Sequence, residues 1–165
     1  SRNNFIRRLA LNLEGNSLCL FQLVEKHGKN LHEMIKEKAD SNRKVFFIYG
    51  GVEADEREKI RAITEKESNA IIVASYGTFS TGINIRNLHN IIFASPSKSR
   101  IRNLQSIGRG LRLGDNKTSA TLYDIADDMT YHSRENFTLK HFQERISIYT
   151  EEEFDYEIHN VQLKD

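Results

Sequence analysis

Apolar positions recur along this chain in two alternating patterns. Phe5, Ile6, Leu9, Ala10 and Leu13 fall three and four residues apart, the period of an amphipathic helix. Gly15-Asn16 breaks that pattern, and Ser17-Leu18-Cys19-Leu20-Phe21 follows as a compact apolar strand. Leu31, Met34, Ile35 and Lys38 mark a second helix, and Val45 to Tyr49 a second strand that Gly50-Gly51 ends abruptly. A charged stretch from Ala54 to Glu67 reads as a third helix with Ile60 and Ile63 turned inward. Ala70–Ala74 and Ile91–Ala94 are the next two strands, with Ile101, Leu104, Gln105 and Gly108 suggesting a helix that stops near Gly110. Ser119 to Ile125 resembles a fifth strand, and Phe137 to Tyr149 a long closing helix.

These strands are continuous apolar runs without strict alternation. That is the pattern of strands buried on both faces, so the expected class is α/β, a mainly parallel sheet with helices on each side. With 165 residues, 38% hydrophobic and 28% charged, the chain is large enough for one domain with a real core. Residues 1–165 are read as that single domain, with 133–165 as a helical and acidic closing segment (Glu151, Glu152, Glu153, Asp155, Glu157). The balance of 24 basic against 23 acidic residues leaves +1, which neither demands nor excludes a nucleic-acid partner. One cysteine excludes an internal disulfide framework, and the six histidines show no metal-ligand spacing, so no metal site is expected. No apolar run is long enough to span a bilayer and no signal-peptide pattern opens the chain, so the expected compartment is the cytoplasm.

In a parallel sheet, ligands bind beyond the carboxyl ends of the strands, which directs attention to three loops. Gln105-Ser106-Ile107-Gly108-Arg109-Gly110-Leu111-Arg112 places two arginines three apart on a helical turn, beside glycines that leave room for approach. Guanidinium groups keep their charge and match phosphate oxygens in bidentate fashion. The helix dipole alone also accounts for cations at such a helix end. Ser75-Tyr76-Gly77-Thr78-Phe79-Ser80-Thr81-Gly82-Ile83-Asn84 directly follows a buried strand and combines glycines with hydroxyls, as a phosphate or sugar site requires and as an ordinary loop also can. Tyr49-Gly50-Gly51 meets the start of a charged helix, where free amides bind phosphate readily, though any α/β protein also needs such a glycine turn.

Together these motifs resemble the C-terminal motor domain of superfamily 2 helicases. Gln105, Gly108, Arg109 and Arg112 match the Q-x-x-G-R-x-x-R signature of that family, and Ser75 to Asn84 is similar to its S-x-x-x-x-x-x-G-I-N loop. Ser17 to Gly28, with Phe21-Gln22 at the strand end, resembles a further family motif. The wording is most similar to phage recombination and repair DNA helicases of the UvsW type. The resemblance implies a RecA-like three-layer fold. It implies that Arg109 and Arg112 act as catalytic arginine fingers on the γ-phosphate of ATP, with Gln105, Gly108, Gly82 and Asn84 beside the nucleotide. It implies that Ser75, Gly50, Gly51 and Gln22 contact the phosphate backbone of DNA, with branched or single-stranded regions as partners. Asn84 stands where many RNA helicases carry aspartate, which favours DNA. An RNA helicase lobe and a non-catalytic binding module are the alternatives.

No G-x-x-x-x-G-K-[ST] loop occurs, and Gly28-Lys29-Asn30 lacks the earlier glycine and the hydroxyl. Asp55-Glu56-Arg57-Glu58 does not end an apolar strand, so its acids read as helix-dipole partners and not as a metal box. ATP and Mg²⁺ are therefore expected to be bound mainly by an N-terminal lobe that precedes Ser1. For a phage-encoded protein the compartment would be the host cytoplasm. Lys98, Arg100, Arg102, Arg109, Arg112 and Lys117, opposed only by Asp115, form a local basic strip that suits phosphates or simply solvent.

Overall fold

The computed structural model describes residues 2–22, 24–80, 87–94 and 121–124. The five expected strands are present as β1 (Ser17–Phe21), β2 (Val45–Ile48), β3 (Ile71–Ser75), β4 (Asn90–Phe93) and β5 (Thr121–Asp124). They form one sheet in the order β2-β3-β1-β4-β5, and every neighbouring pair is parallel. Leu18 lies opposite Ile72 on one side and Ile91 on the other, and Leu20 opposite Ala74 and Phe93.

Each central strand feeds two cores, which explains the unbroken apolar runs. Leu18, Leu20, Ile72, Ala74, Ile91 and Phe93 pack with Ile60 of α3 (Ala54–Glu65) and Tyr76 of α4 (Tyr76–Ser80). Cys19, Phe21, Ile71, Val73 and Ile92 pack with Ile6 and Ala10 of α1 (Arg2–Asn12) and Leu31 and Ile35 of α2 (Lys29–Lys38). The result is the expected three-layer α/β arrangement. α2 carries the chain from β1 out to β2 over one face, and α3 returns it to β3 over the other, as right-handed crossovers in opposite directions require. β4 then lies on the far side of β1. The onward connections of β1 and β4 thus run to opposite sides, the switch point at which α/β sheets open a crevice.

The amino-terminal ends of the strands are held by Asn16, which is fully buried. Its side-chain amide donates to the carbonyls of Thr64 (3.1 Å), Glu67 (2.8 Å) and Asn87 (2.8 Å), and its Oδ1 accepts the Ala70 N–H at 2.8 Å. The preceding Gly15 has φ +92°, and a Cβ there would also stand 2.6 Å from the His89 ring. Arg43 donates to the carbonyls of Leu11 (2.8 Å) and Asn69 (2.8 Å), tying the end of α1 to the start of β3.

Three expectations need correction. Ile63 does not face inward: it is 38% exposed, while Ile60 and Thr64 are buried. The inward stripe of α3 is centred on Ile60 and Thr64, with Arg57 and Arg61 half-buried along it, because Asn16 draws the Thr64 carbonyl toward the sheet. The stretch after β3 begins as helix α4, not as loop. Gly50-Gly51 does not open α3 either; Val52 and the N-cap Glu53 intervene. A π-helical turn at Val24–Gly28, before α2, is an addition to the expected elements. The expected helices near Ile101–Gly110 and Phe137–Tyr149 lie outside the described residues.

Candidate nucleic-acid interface at the carboxyl edge of the sheet

Four of the sequence-predicted residues gather at the carboxyl ends of three adjacent strands. Gln22 follows β1, Gly50 and Gly51 follow β2, and Ser75 ends β3 between them. The register pairs Phe21 with Ser75 and Ile48 with Ala74, so the three chain exits stand side by side. Gln22, Gly50 and Gly51 are exposed and Ser75 half-buried.

Ser75 caps the short helix that follows it. Its Oγ lies 2.6 Å from the Thr78 hydroxyl and accepts the Thr78 N–H at 3.4 Å. The capping serine therefore has its hydroxyl oriented by the turn and stays on the rim.

The Gly50-Gly51 turn is closed by the Val52 N–H donating to the Tyr49 carbonyl at 3.0 Å. Arg57, on the first turn of α3, reaches back beneath it. Its Nε donates to the Val52 carbonyl at 2.9 Å and its Nη2 to the Gly50 carbonyl at 3.4 Å. The amides of Gly50 and Gly51 make no hydrogen bond among the described residues. The turn thus shows N–H groups outward while a guanidinium holds its carbonyls. Sequence reasoning did not single out Arg57. The available signal was its charge: a cation in the first turn, beside Asp55 and Glu56, opposes the helix dipole unless a local acceptor holds it.

An aromatic cluster stiffens this edge from below. Phe47 stacks on Phe21 with ring centroids 5.6 Å apart and on His32 at 5.0 Å, and Tyr49 leans against Phe47 at 5.2 Å. A Cβ on Gly51 would stand 2.7 Å from the Tyr49 ring, so glycine there lets the ring fold over the turn. Beside it, exposed Lys29 pairs with Glu25 at 2.8 Å, which raises the lysine's pKa.

His27 lies 2.9 Å from the Asn3 side-chain oxygen, and burial with the Arg2 charge lowers its pKa. Burial likewise lowers that of His32. Among the described residues no three His, Cys, Asp or Glu side chains converge. No helix among them is long and apolar enough to cross a membrane. Arg109, Arg112, Gln105, Gly108, Gly82 and Asn84 lie outside the described residues.

Comparison with known proteins agrees with this architecture. Residues 2–114 match the helicase conserved C-terminal domain. The chain is 37% identical over 175 aligned positions to the ATP-dependent DNA helicase uvsW of Enterobacteria phage T4, covering 98% of this chain and 34% of that protein. The crystal structure of T4 UvsW superposes with a TM-score of 0.74 at 38% identity, over 93% of this chain and 33% of that one. The C-terminal part of the Fun30 ATPase domain shares the fold at 15% identity, with a TM-score of 0.58 over 92% of this chain and 54% of that one. The chain thus spans about a third of the curated helicase it resembles. A family match over most of its length, carried on a five-stranded RecA-like sheet, places this chain in the helicase conserved C-terminal domain family.

Proposed function

We propose that this chain is the second motor lobe of an ATP-dependent DNA helicase or translocase, acting in the cytoplasm, the host's if phage-encoded. One observation carries the reading. The helicase C-terminal match runs through Gln105, Gly108, Arg109 and Arg112, on a parallel sheet whose carboxyl edge collects Gln22, Gly50, Gly51 and Ser75. The likeness to a DNA helicase and Asn84 favour DNA over RNA.

In this reading ATP is bound mainly by a partner lobe, since the chain carries no lysine phosphate loop. Mg²⁺ belongs to that lobe with the nucleotide. Arg109 and Arg112 approach the γ-phosphate across the cleft and stabilise the charge that grows as the phosphoryl group transfers. Gln105 and Gly108 hold the arginine turn against the nucleotide, and Gly82 and Asn84 line its sugar and phosphates. Ser75, Gly50, Gly51 and Gln22 hold one DNA strand by its phosphates, a grip that fixes position and reads no sequence. Loss of the γ-phosphate opens the cleft and shifts the two grips relative to each other. The biological task is the remodelling of branched DNA in recombination, repair or replication.

The test is DNA-stimulated ATP hydrolysis by the complete protein carrying Arg109→Ala. Turnover is expected to fall by about 10³-fold or more, with ATP affinity within a few fold of the parent. Near-normal turnover refutes the finger assignment, and stimulation by RNA but not DNA selects the RNA alternative.

A further inference from the structure

The first turn of α1 is tied to both strands that flank the switch point. Arg2 donates through Nη2 to the Ala94 carbonyl at 2.9 Å, across 92 positions of sequence. Ala94 also prolongs β4 against β1, its N–H donating to the Leu20 carbonyl at 2.8 Å. The next side chain, Asn3, meets His27 at 2.9 Å, on the π-helical turn by which the chain leaves β1. Two consecutive side chains thus bind the entry of α1 to the exits of β4 and β1. Packing does not call for these bonds. The buried Ile6 and Ala10, one and two turns further on, already seat α1 on the sheet. Nor does the helix itself favour Arg2, since a cation in the first turn opposes its dipole and that turn holds no acid to offset it.

Resting on the two-lobe motor reading, in which the connection from the ATP-binding lobe enters this one at α1, we propose that Arg2 and Asn3 are positioning residues that form the fixed end of the interlobe hinge. Helix ends leave their first amides without intrahelical partners and fray. A lobe pulling on a free end unravels turns of helix, and its movement is absorbed before the sheet feels it. A hinge works when a rigid element begins sharply where the flexible one stops. The bonds from Arg2 and Asn3 set that boundary at the first turn of α1. Displacement of the connection is then delivered to the exit of β4, from which the sequence runs on to Gln105, Gly108, Arg109 and Arg112. The clamp thereby couples lobe movement to the stretch that carries the fingers.

The experiment compares Arg2→Ala, Arg2→Lys and Asn3→Ala with the parent in the complete protein. Thermal midpoint, KM for ATP, DNA-stimulated kcat and amide exchange in α1 and β1 are read for each. Arg2→Ala is expected to lower kcat about tenfold with KM nearly unchanged, and to speed exchange of the α1 amides about tenfold while β1 stays protected. Arg2→Lys keeps a donor for the Ala94 carbonyl and is expected to recover part of both losses. Asn3→Ala is expected to show the same two effects at smaller size, and decides the matter if Arg2→Ala does not fold. Parental kcat in the alanine variants overturns the clamp whatever the midpoint does, because a purely structural bond shows in stability alone. A lowered kcat with unchanged α1 exchange overturns it too, since the residues then act elsewhere than at the helix end. Arg109→Ala, run alongside, separates the two levels. If it loses turnover while the clamp variants keep theirs, the motor reading stands without the clamp; if it turns over normally, both fall.

Discussion

At the scale of single residues, burial decides chemistry. Cys19 sits in the middle of β1 with no solvent access, and burial pushes its thiol up to about 12 from 9.0. Sequence reading placed it in an apolar strand buried on both faces; the structure agrees, and there it packs as a small hydrophobe. The consequence for stability follows from proton counting. Between pH 9.0 and about 12 the unfolded chain releases the thiol proton while the folded chain keeps it. This contribution is therefore complete below pH 9.0 and is lost as pH rises through that window. Chemical denaturation of the parent and of Cys19→Ala should show a stability gap that narrows above pH 9.0. A gap that stays constant to pH 11 would mean the thiol ionises freely in the native state. A thiol reagent at neutral pH should likewise modify Cys19 only after unfolding.

At the scale of elements, legibility tracked how much of each signal was local. The strands were readable to within one or two residues because both faces are buried, and an uninterrupted run such as Ile71-Ile72-Val73-Ala74 has no other use at that length. The inward face of α3 was half-legible. Ile60 was right, but the choice between Ile63 and Thr64 depends on Asn16, forty-eight residues away in sequence. The π-helical turn before α2 carries no periodic signature. Gly28 ends that turn with helical dihedrals (φ −60°, ψ −48°), where propensity alone makes alanine the better residue by about 1 kcal/mol. A Cβ there would stand 2.3 Å from the fully buried Phe21 ring. Overpacking of a closed core costs about 1–3 kcal/mol and outweighs the propensity gain. Gly28→Ala should therefore lower the thermal midpoint by several degrees. A neutral or raised midpoint would show that the Phe21 ring has somewhere to move.

At the scale of the whole molecule, charge and topology divide the work of binding. Topology was legible as far as a parallel sheet with two helical layers, and strand order was not, because crossover handedness fixes only the face a connection runs over and no local pattern marks the jump of β4 across β1. With 24 basic and 23 acidic residues, the molecule as a whole exerts little long-range pull on a polyanion. On the proposed reading, the edge formed by β1, β2 and β3 contributes neutral donors: the amides of Gly50 and Gly51, the Ser75 hydroxyl and the Gln22 carboxamide. Among the described residues, Arg57 is turned onto the carbonyls of its own turn. Neutral donors strengthen binding without releasing counterions, whereas each phosphate neutralised by a cation on single-stranded DNA adds about 0.7 to the slope of log affinity against log salt. Gln22→Ala and Ser75→Ala should therefore weaken DNA binding equally at every salt concentration, giving lines parallel to the parent. Arg100→Gln, in the basic strip beyond β4, should instead flatten the line by about 0.7 if that strip meets a phosphate. Oligonucleotide titrations over a salt series read both quantities at once. A flattened slope for Gln22→Ala would show that removing a neutral donor displaces a cationic contact, and the separation of neutral grip from charged grip would fail.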